Sequence, residues 1–302
     1  MSRDKKVTQS WVHQGIYLSC LLYVILLILC AIFAEHIAPY SFLEQDLQNI
    51  WEPPSVNHLL GTDGLGRDIL SRLIYGTRVS LMVATLASLF VAVIGIPLGL
   101  ISGYFGGFWD SVIMRIVDVL YAFPDVLLII VVSAIIKANI AQGDSRGVFF
   151  LQELDSVLGG ILGILLALGL TTWPVVSRLI RSQTLSIREF DFVIASYSIG
   201  SRELWILRKH IFPNIIGSAL TAMSLIVPYA IIVEAGLSFL GLGVDPPMPS
   251  WGRMISEGSL AMRAHPHLLI SSTVLLAVTV LVFMLIGDWV RERFDPNNSI
   301  IR

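Results

Sequence analysis

VSLMVATLASLFVAVIGIPLGLISGYFGGFW, residues 79–109, runs for thirty-one positions without an Asp, Glu, Lys or Arg. A bilayer core is about 30 Å thick and takes roughly 20 apolar helical residues to cross, so this run is more than long enough. Four other stretches share the property: 7–34, 156–177, 210–233 and 264–287. The composition agrees. Of 302 residues 55% are hydrophobic and 14% charged, and mean hydropathy is +0.78; ordinary globular chains carry about 25% charged residues. A disordered chain, a secreted disulfide scaffold and a soluble enzyme are excluded. Membrane β-barrels alternate in segments of about 10 residues, whereas these runs are continuous. The fold class is all-α, a polytopic membrane protein.

Charge distribution orients it. A sixth span is required at 111–136, although Arg115, Asp118 and Asp125 interrupt its first half. Without it, a cytoplasmic N-terminus would put the block Arg178, Arg181, Arg188, Arg202, Arg208 and Lys209 outside, against the positive-inside tendency. With six transmembrane helices, twelve Lys and Arg fall on the inner side and seven on the outer. Both termini are then cytoplasmic. The layout is a cytoplasmic tail at 1–14, a first span at 15–34 and an outer segment at 35–78. A core follows at 79–290, with spans near 79–103, 111–136, 157–177, 214–240 and 268–289, and a cytoplasmic tail closes the chain at 291–302. Arg3, Lys5 and Lys6 give a basic start, but the apolar stretch from Ile16 to Ala34 exceeds the ~7–15 residues of a cleavable signal, so an uncleaved anchor is expected. In the outer segment, Ile69, Leu70, Leu73 and Ile74 share one face of a short surface helix from about Asp68 to Ser80, an elbow before span two.

Catalytic chemistry is missing from the sequence. None of the four lysines, Lys5, Lys6, Lys137 and Lys209, follows a glycine, so there is no G-x-x-x-x-G-K-[ST] phosphate loop. Neither H-E-x-x-H nor G-x-S-x-G occurs. His265-Pro266-His267 lacks an adjacent carboxylate, and Cys20 and Cys30 lie ten residues apart on one helix, where they cannot bond. No catalytic residue, cofactor or metal is assigned, and a net charge of −2 argues against nucleic acid. Arg115 and Asp118, three apart, are expected to pair with each other. Asp125 follows Pro124, and Glu234 falls late in span five, where solvation near the outer surface is expected. Pro97, Pro124, Pro174 and Pro228 interrupt four spans, while Gly95, Gly99 and Gly103, like Gly159 and Gly163, form small-residue ridges for close helix packing.

One inner loop stands out: SQTLSIREFDFVIASYSIGSRELWILRKHIFPN, residues 182–214. Phe190, Val193, Ile194 and Tyr197 follow helical spacing. Gly200 supplies a left-handed C-cap; Ser201 then starts a second helix bearing Leu204, Leu207, Arg208 and Ile211, which Pro213 ends. Two short helices around a glycine corner, with an apolar stripe, need a cover. The inner leaflet, the chain's own helices and a docked protein all qualify.

The spacing at 194–213 resembles the EAA loop of bacterial ABC-importer permeases. Ile194-Ala195-Ser196, Gly200 and His210-Ile211-Phe212-Pro213 keep every interval, departing at the Glu, the second Ala, the Ile and the Leu. HLLGTDGLGRDILSRLIYGTRVSL (58–81), GYFGGFWDSVIMRIVDVLYAFP (103–124), GLSFLGLGVDPPMPSWGRMI (236–255) and GDWVRERFDPN (287–297) extend the likeness to the C-type permease of dipeptide, oligopeptide and nickel importers. The resemblance implies the type I permease fold, with span one (15–34) a peripheral addition to a core of spans two to six, and a non-catalytic subunit. It would work in the bacterial inner membrane with a homologous B-type permease, two cytoplasmic ATPases and an external solute-binding protein, embedded in lipid. It further implies that Phe192, Ile194, Ala195, Ser196, Gly200, Arg208 and Pro213 form or shape an ATPase-coupling joint within 182–213. Peptides are the usual cargo; nickel complexes, glutathione and antimicrobial peptides are carried by relatives. A self-contained secondary transporter or channel would instead show internal repeats or a coupling acid at mid-depth.

Overall fold

The computed structural model describes residues 2–142 and 146–294, with side chains over 14–140 and 149–294; the end of the C-terminal tail, 295–302, lies outside the described residues. Among those residues the chain forms α-helices and no extended strand. They are α1 (Ser2–Ile32), α2 (Ala34–Ile37), α3 (Ile69–Phe105), α4 (Gly107–Tyr121), α5 (Asp125–Gln142), α6 (Arg146–Val157), α7 (Leu162–Arg188), α8 (Asp191–Ser198), α9 (Glu203–Ile206), α10 (Phe212–Phe239), α11 (Trp251–Leu260) and α12 (His267–Phe294). Five helical stretches are long and apolar enough to cross a membrane, and the bent pair α4–α5 meets the same measure when the two helices are taken together.

The expected surface elbow at 68–80 is not a separate element. Asp68 caps α3, accepting the Ser71 N–H at 2.8 Å, and the helix continues unbroken for 37 residues. Ile69 and Leu73 are buried, and the Leu73 carbonyl accepts the Trp251 indole N–H at 3.2 Å. A cover of protein, rather than lipid headgroups, keeps this first stretch on the axis of the span.

Span three departs from a straight helix over 111–136. Proline disfavours helical backbone in the residue before it, and around Pro124 the chain turns 92° between α4 and α5. At 1.5 Å per residue the 18 residues of α5 reach about 27 Å, nearly a bilayer core. α4 packs Ile113 and Val117 against the inner ends of α3 and α7. Asp118 therefore meets Arg178 on α7 at 2.8 Å rather than Arg115.

α3 and α7 form the centre of the bundle. Their approach follows from the glycine ridge: a Cβ on Gly99 would stand 2.5 Å from the Ser177 carbonyl oxygen, and one on Gly103 2.7 Å from Thr184 Cβ. The ridge thus packs within the chain. Gly159 and Gly163 do not share a helix face, because Gly159 turns the chain with φ 73° before α7 begins. Peripheral α1 leans on α3 and α12, with Tyr23 Oη 2.8 Å from Thr279 Oγ1.

Over the outer ends, residues 38–68 and α11 build a cap. Fully buried Arg72 bonds Asp63 and reaches Glu257 at 2.7 Å; Arg67 bonds Asp63 at 2.7 Å. Burial raises the Glu257 pKa, but the charge and hydrogen bonds of Arg72, with Arg253 and Arg67, outweigh it and hold the carboxyl below its ordinary value. Glu234 is also buried rather than solvated. It accepts the hydroxyls of Ser80 at 2.9 Å and Ser238 at 2.7 Å, tying α10 to α3.

Candidate functional site

At the inner end, α7 runs into a helical hairpin over 189–213. α8 ends in a Schellman turn, with Gly200 N–H bonded to Tyr197 O at 3.0 Å and Ser201 N–H to Ser196 O at 3.2 Å. Gly200 takes φ +79°, and a Cβ added there meets nothing within 4 Å. Glycine is required by the sign of φ, not by crowding.

The second arm differs from expectation. Arg202, not Ser201, precedes α9. Pro213 does not stop the helix: Glu203–Phe239 is one helical stretch, widened into a π-turn at Leu207–Ile211. Proline lacks an N–H and its ring crowds the carbonyl four residues back; a wider turn just before it accommodates both. The extra residue changes the helical phase. Ile206 and Ile211 are fully buried, whereas Leu204 is 77% exposed.

In α8 the buried face is Val193 and Ser196, and Ser196 Oγ lies 3.2 Å from His210 Nε2 across the hairpin. His210 also sits against the rings of Phe192 (5.8 Å) and Trp205 (5.0 Å). Phe190, Phe192, Ile194, Tyr197, Ile199 and Trp205 are left exposed. Of the residues singled out from the sequence, Phe192, Ile194, Ala195, Gly200, Arg208 and Pro213 are exposed, and Ser196 lies inside the joint. Ile199 and Trp205 extend the apolar surface and were not singled out; adjacency to the glycine corner was the available signal.

The hairpin is firmly seated. Arg188, the last residue of α7, donates to Tyr104 O at 2.9 Å, near the end of α3. Arg181 grips Asp110 with two bonds, at 2.5 and 2.6 Å, and Asp110 also accepts from Ser102. These contacts join α3, α4 and α7 at the root of the hairpin. Among the described residues nothing covers its exposed apolar face. Charge-assisted bonds below and bare aromatic surface above suit a docking element that moves with the bundle.

A cavity of about 500 Å³ opens higher up, between the α4–α5 corner, α7 and α10. Asp125 lies on its wall and accepts the Tyr229 hydroxyl at 3.0 Å. At the outer surface His265 stacks on Trp51 and His267 Nε2 is 3.0 Å from Thr62 O; among the described residues no cluster of His, Cys, Asp and Glu has the arrangement of a metal site.

Comparison with known proteins defines the class. Residues 95–300 match the profile of the binding-protein-dependent transport system inner membrane component, and residues 18–54 that of the N-terminal transmembrane domain of oligopeptide transport permease C. The chain belongs to the binding-protein-dependent transport system inner membrane component family: it is a multi-pass permease subunit of an ABC importer in the inner membrane. It is 36% identical to the glutathione transport system permease protein GsiD of Pectobacterium atrosepticum, over 97% of this chain and 93% of the relative. Identity to the oligopeptide transport system permease protein OppC of Bacillus subtilis is 36%, over 91% and 84%. GsiD of an Escherichia coli O6:K15:H31 strain is 38% identical, over 94% and 87%. The MetNI methionine ABC transporter in an inward-facing crystal form has the same permease fold, with TM-score 0.55 and 16% identity over 75% of this chain and 97% of that one.

Proposed function

We propose that this chain forms one half of the membrane path of a peptide importer. It would pair with a homologous B-type permease, draw work from two cytoplasmic ATPase subunits and receive cargo from an external solute-binding protein. The carrying observation is the 189–213 hairpin, bare and apolar outside and fixed to three helices at its root. In this reading Phe192, Ile194, Ala195, Gly200 and Arg208 meet a cleft on one ATPase, while Ser196 and Pro213 hold the two arms in register. ATP-driven closure of the ATPases then carries the hairpin inward and tilts α3, α7 and α10 between two packings. Such transmission needs a stiff element with two arrangements, not a reactive side chain.

The likeness to OppC supports peptide cargo, and the likeness to GsiD supports glutathione, itself a tripeptide with one γ-linkage. Uptake of labelled tri-alanine and of glutathione by vesicles holding the complete transporter, with its binding protein outside and ATP inside, separates the two. Crosslinkers at Ile194 and Leu204 should capture an ATPase; capture of lipid alone refutes the docking.

A further inference from the structure

Three of the four helix-interrupting prolines converge on the mid-depth cavity. Pro124 makes the α4–α5 corner, Pro174 lines the wall near the middle of α7, and Pro228 immediately precedes Tyr229. Among the described lining residues, which are mostly apolar, Asp125 alone carries a formal charge. Its Oδ1 accepts the N–H of Val126 at 2.8 Å and its Oδ2 the Tyr229 hydroxyl, and among the described residues no cation forms an ion pair with it. The nearby guanidinium of Arg178 is engaged elsewhere, paired with Asp118 and seated 4.4 Å over the Tyr121 ring.

Asp125 is exposed at the cavity wall rather than buried in protein; a carboxylate within a membrane-spanning segment is costly unless it faces a watery path, and a cavity of 300–1,000 Å³ is the usual size for a small ligand. The wall offers a negative charge among the aromatic side chains of Phe123 and Tyr229; Tyr121 also lines it, with one ring face already under Arg178. The chemistry complementary to that set is a primary ammonium: three donors and a positive charge, bound by charge-assisted hydrogen bonding and by aromatic faces.

We propose that Asp125 receives the primary ammonium group of the cargo during its passage, with Tyr229 orienting the carboxylate. The inference rests on the peptide reading above; peptides and glutathione share the α-ammonium group, so it holds for either.

The test uses the complete transporter in vesicles with its binding protein, and reads tri-alanine or glutathione moved per ATP hydrolysed. Asp125→Asn should lower that ratio about tenfold, the worth of one charge-assisted hydrogen bond. Asp125→Glu and Tyr229→Phe, which keep the charge, should fall much less. A normal ratio for Asp125→Asn overturns the proposal. So does Asp125→Glu as poor as Asp125→Asn, or Tyr229→Phe as poor as Asp125→Asn, because the carboxylate would then act only by positioning α10. Unmutated transporter that moves neither cargo refutes the peptide reading itself, before any variant is made.

Discussion

Replacing Gly200 with valine isolates the backbone requirement of the hairpin. With φ at +79° and nothing within 4 Å of where a Cβ would go, the sign of φ rather than a Cβ contact sets the cost. The left-handed conformation costs an L-residue about 1–2 kcal/mol, and a β-branched side chain lies at the upper end. As a change in an equilibrium constant, 1–2 kcal/mol is a factor of about 5–30. At equal expression, Gly200→Val should therefore lose several-fold of both binding-protein-stimulated ATP hydrolysis and uptake. Gly200→Asn, whose residue type tolerates the left-handed region, should lose less. Valine behaving like wild type refutes the reasoning. Asparagine as harmful as valine refutes it too, since partner contact rather than backbone sign would then be limiting.

Gly99→Ala puts a Cβ 2.5 Å from the Ser177 carbonyl oxygen; such overpacking costs about 1–3 kcal/mol, and the detergent-solubilised protein should melt at lower temperature. Arg181→Gln removes both bonds to Asp110, so α4 should become more susceptible to protease while expression holds. The outer cap should weaken in acid. Glu257 is more acidic folded than unfolded, so its contribution is complete above the unfolded value of about 4.3 and is lost as pH falls through the lower folded value. Glu257→Gln should flatten that part of the stability-versus-pH curve; an unchanged curve contradicts the assignment.

Much of this was legible because bilayers impose simple rules. Uninterrupted apolar runs marked the five long apolar helices, and the spread of basic residues supplied an expected direction for them. The corner at Gly200 was readable too, since few residues besides glycine enter the left-handed region freely. What stayed hidden depended on contacts between distant segments. Leu73 reads as a surface residue until Trp251, 178 positions later, bonds its carbonyl. Glu234 reads as wet until Ser80 is brought against it. Pro213 reads as a terminator because a widened turn leaves no periodic trace. The Asp125–Tyr229 pair spans 104 positions and carries no motif.

Helix α3 has a consequence of its own. At 1.5 Å per residue its 37 residues make a rod about 55 Å long. One tip is anchored beside Arg72 in the outer cap, and the other carries the Tyr104 carbonyl that Arg188 holds. Cargo delivery outside and nucleotide chemistry inside would thus push on opposite ends of a single lever. Pro97, inside the rod, leaves its helical ladder one N–H short without breaking it.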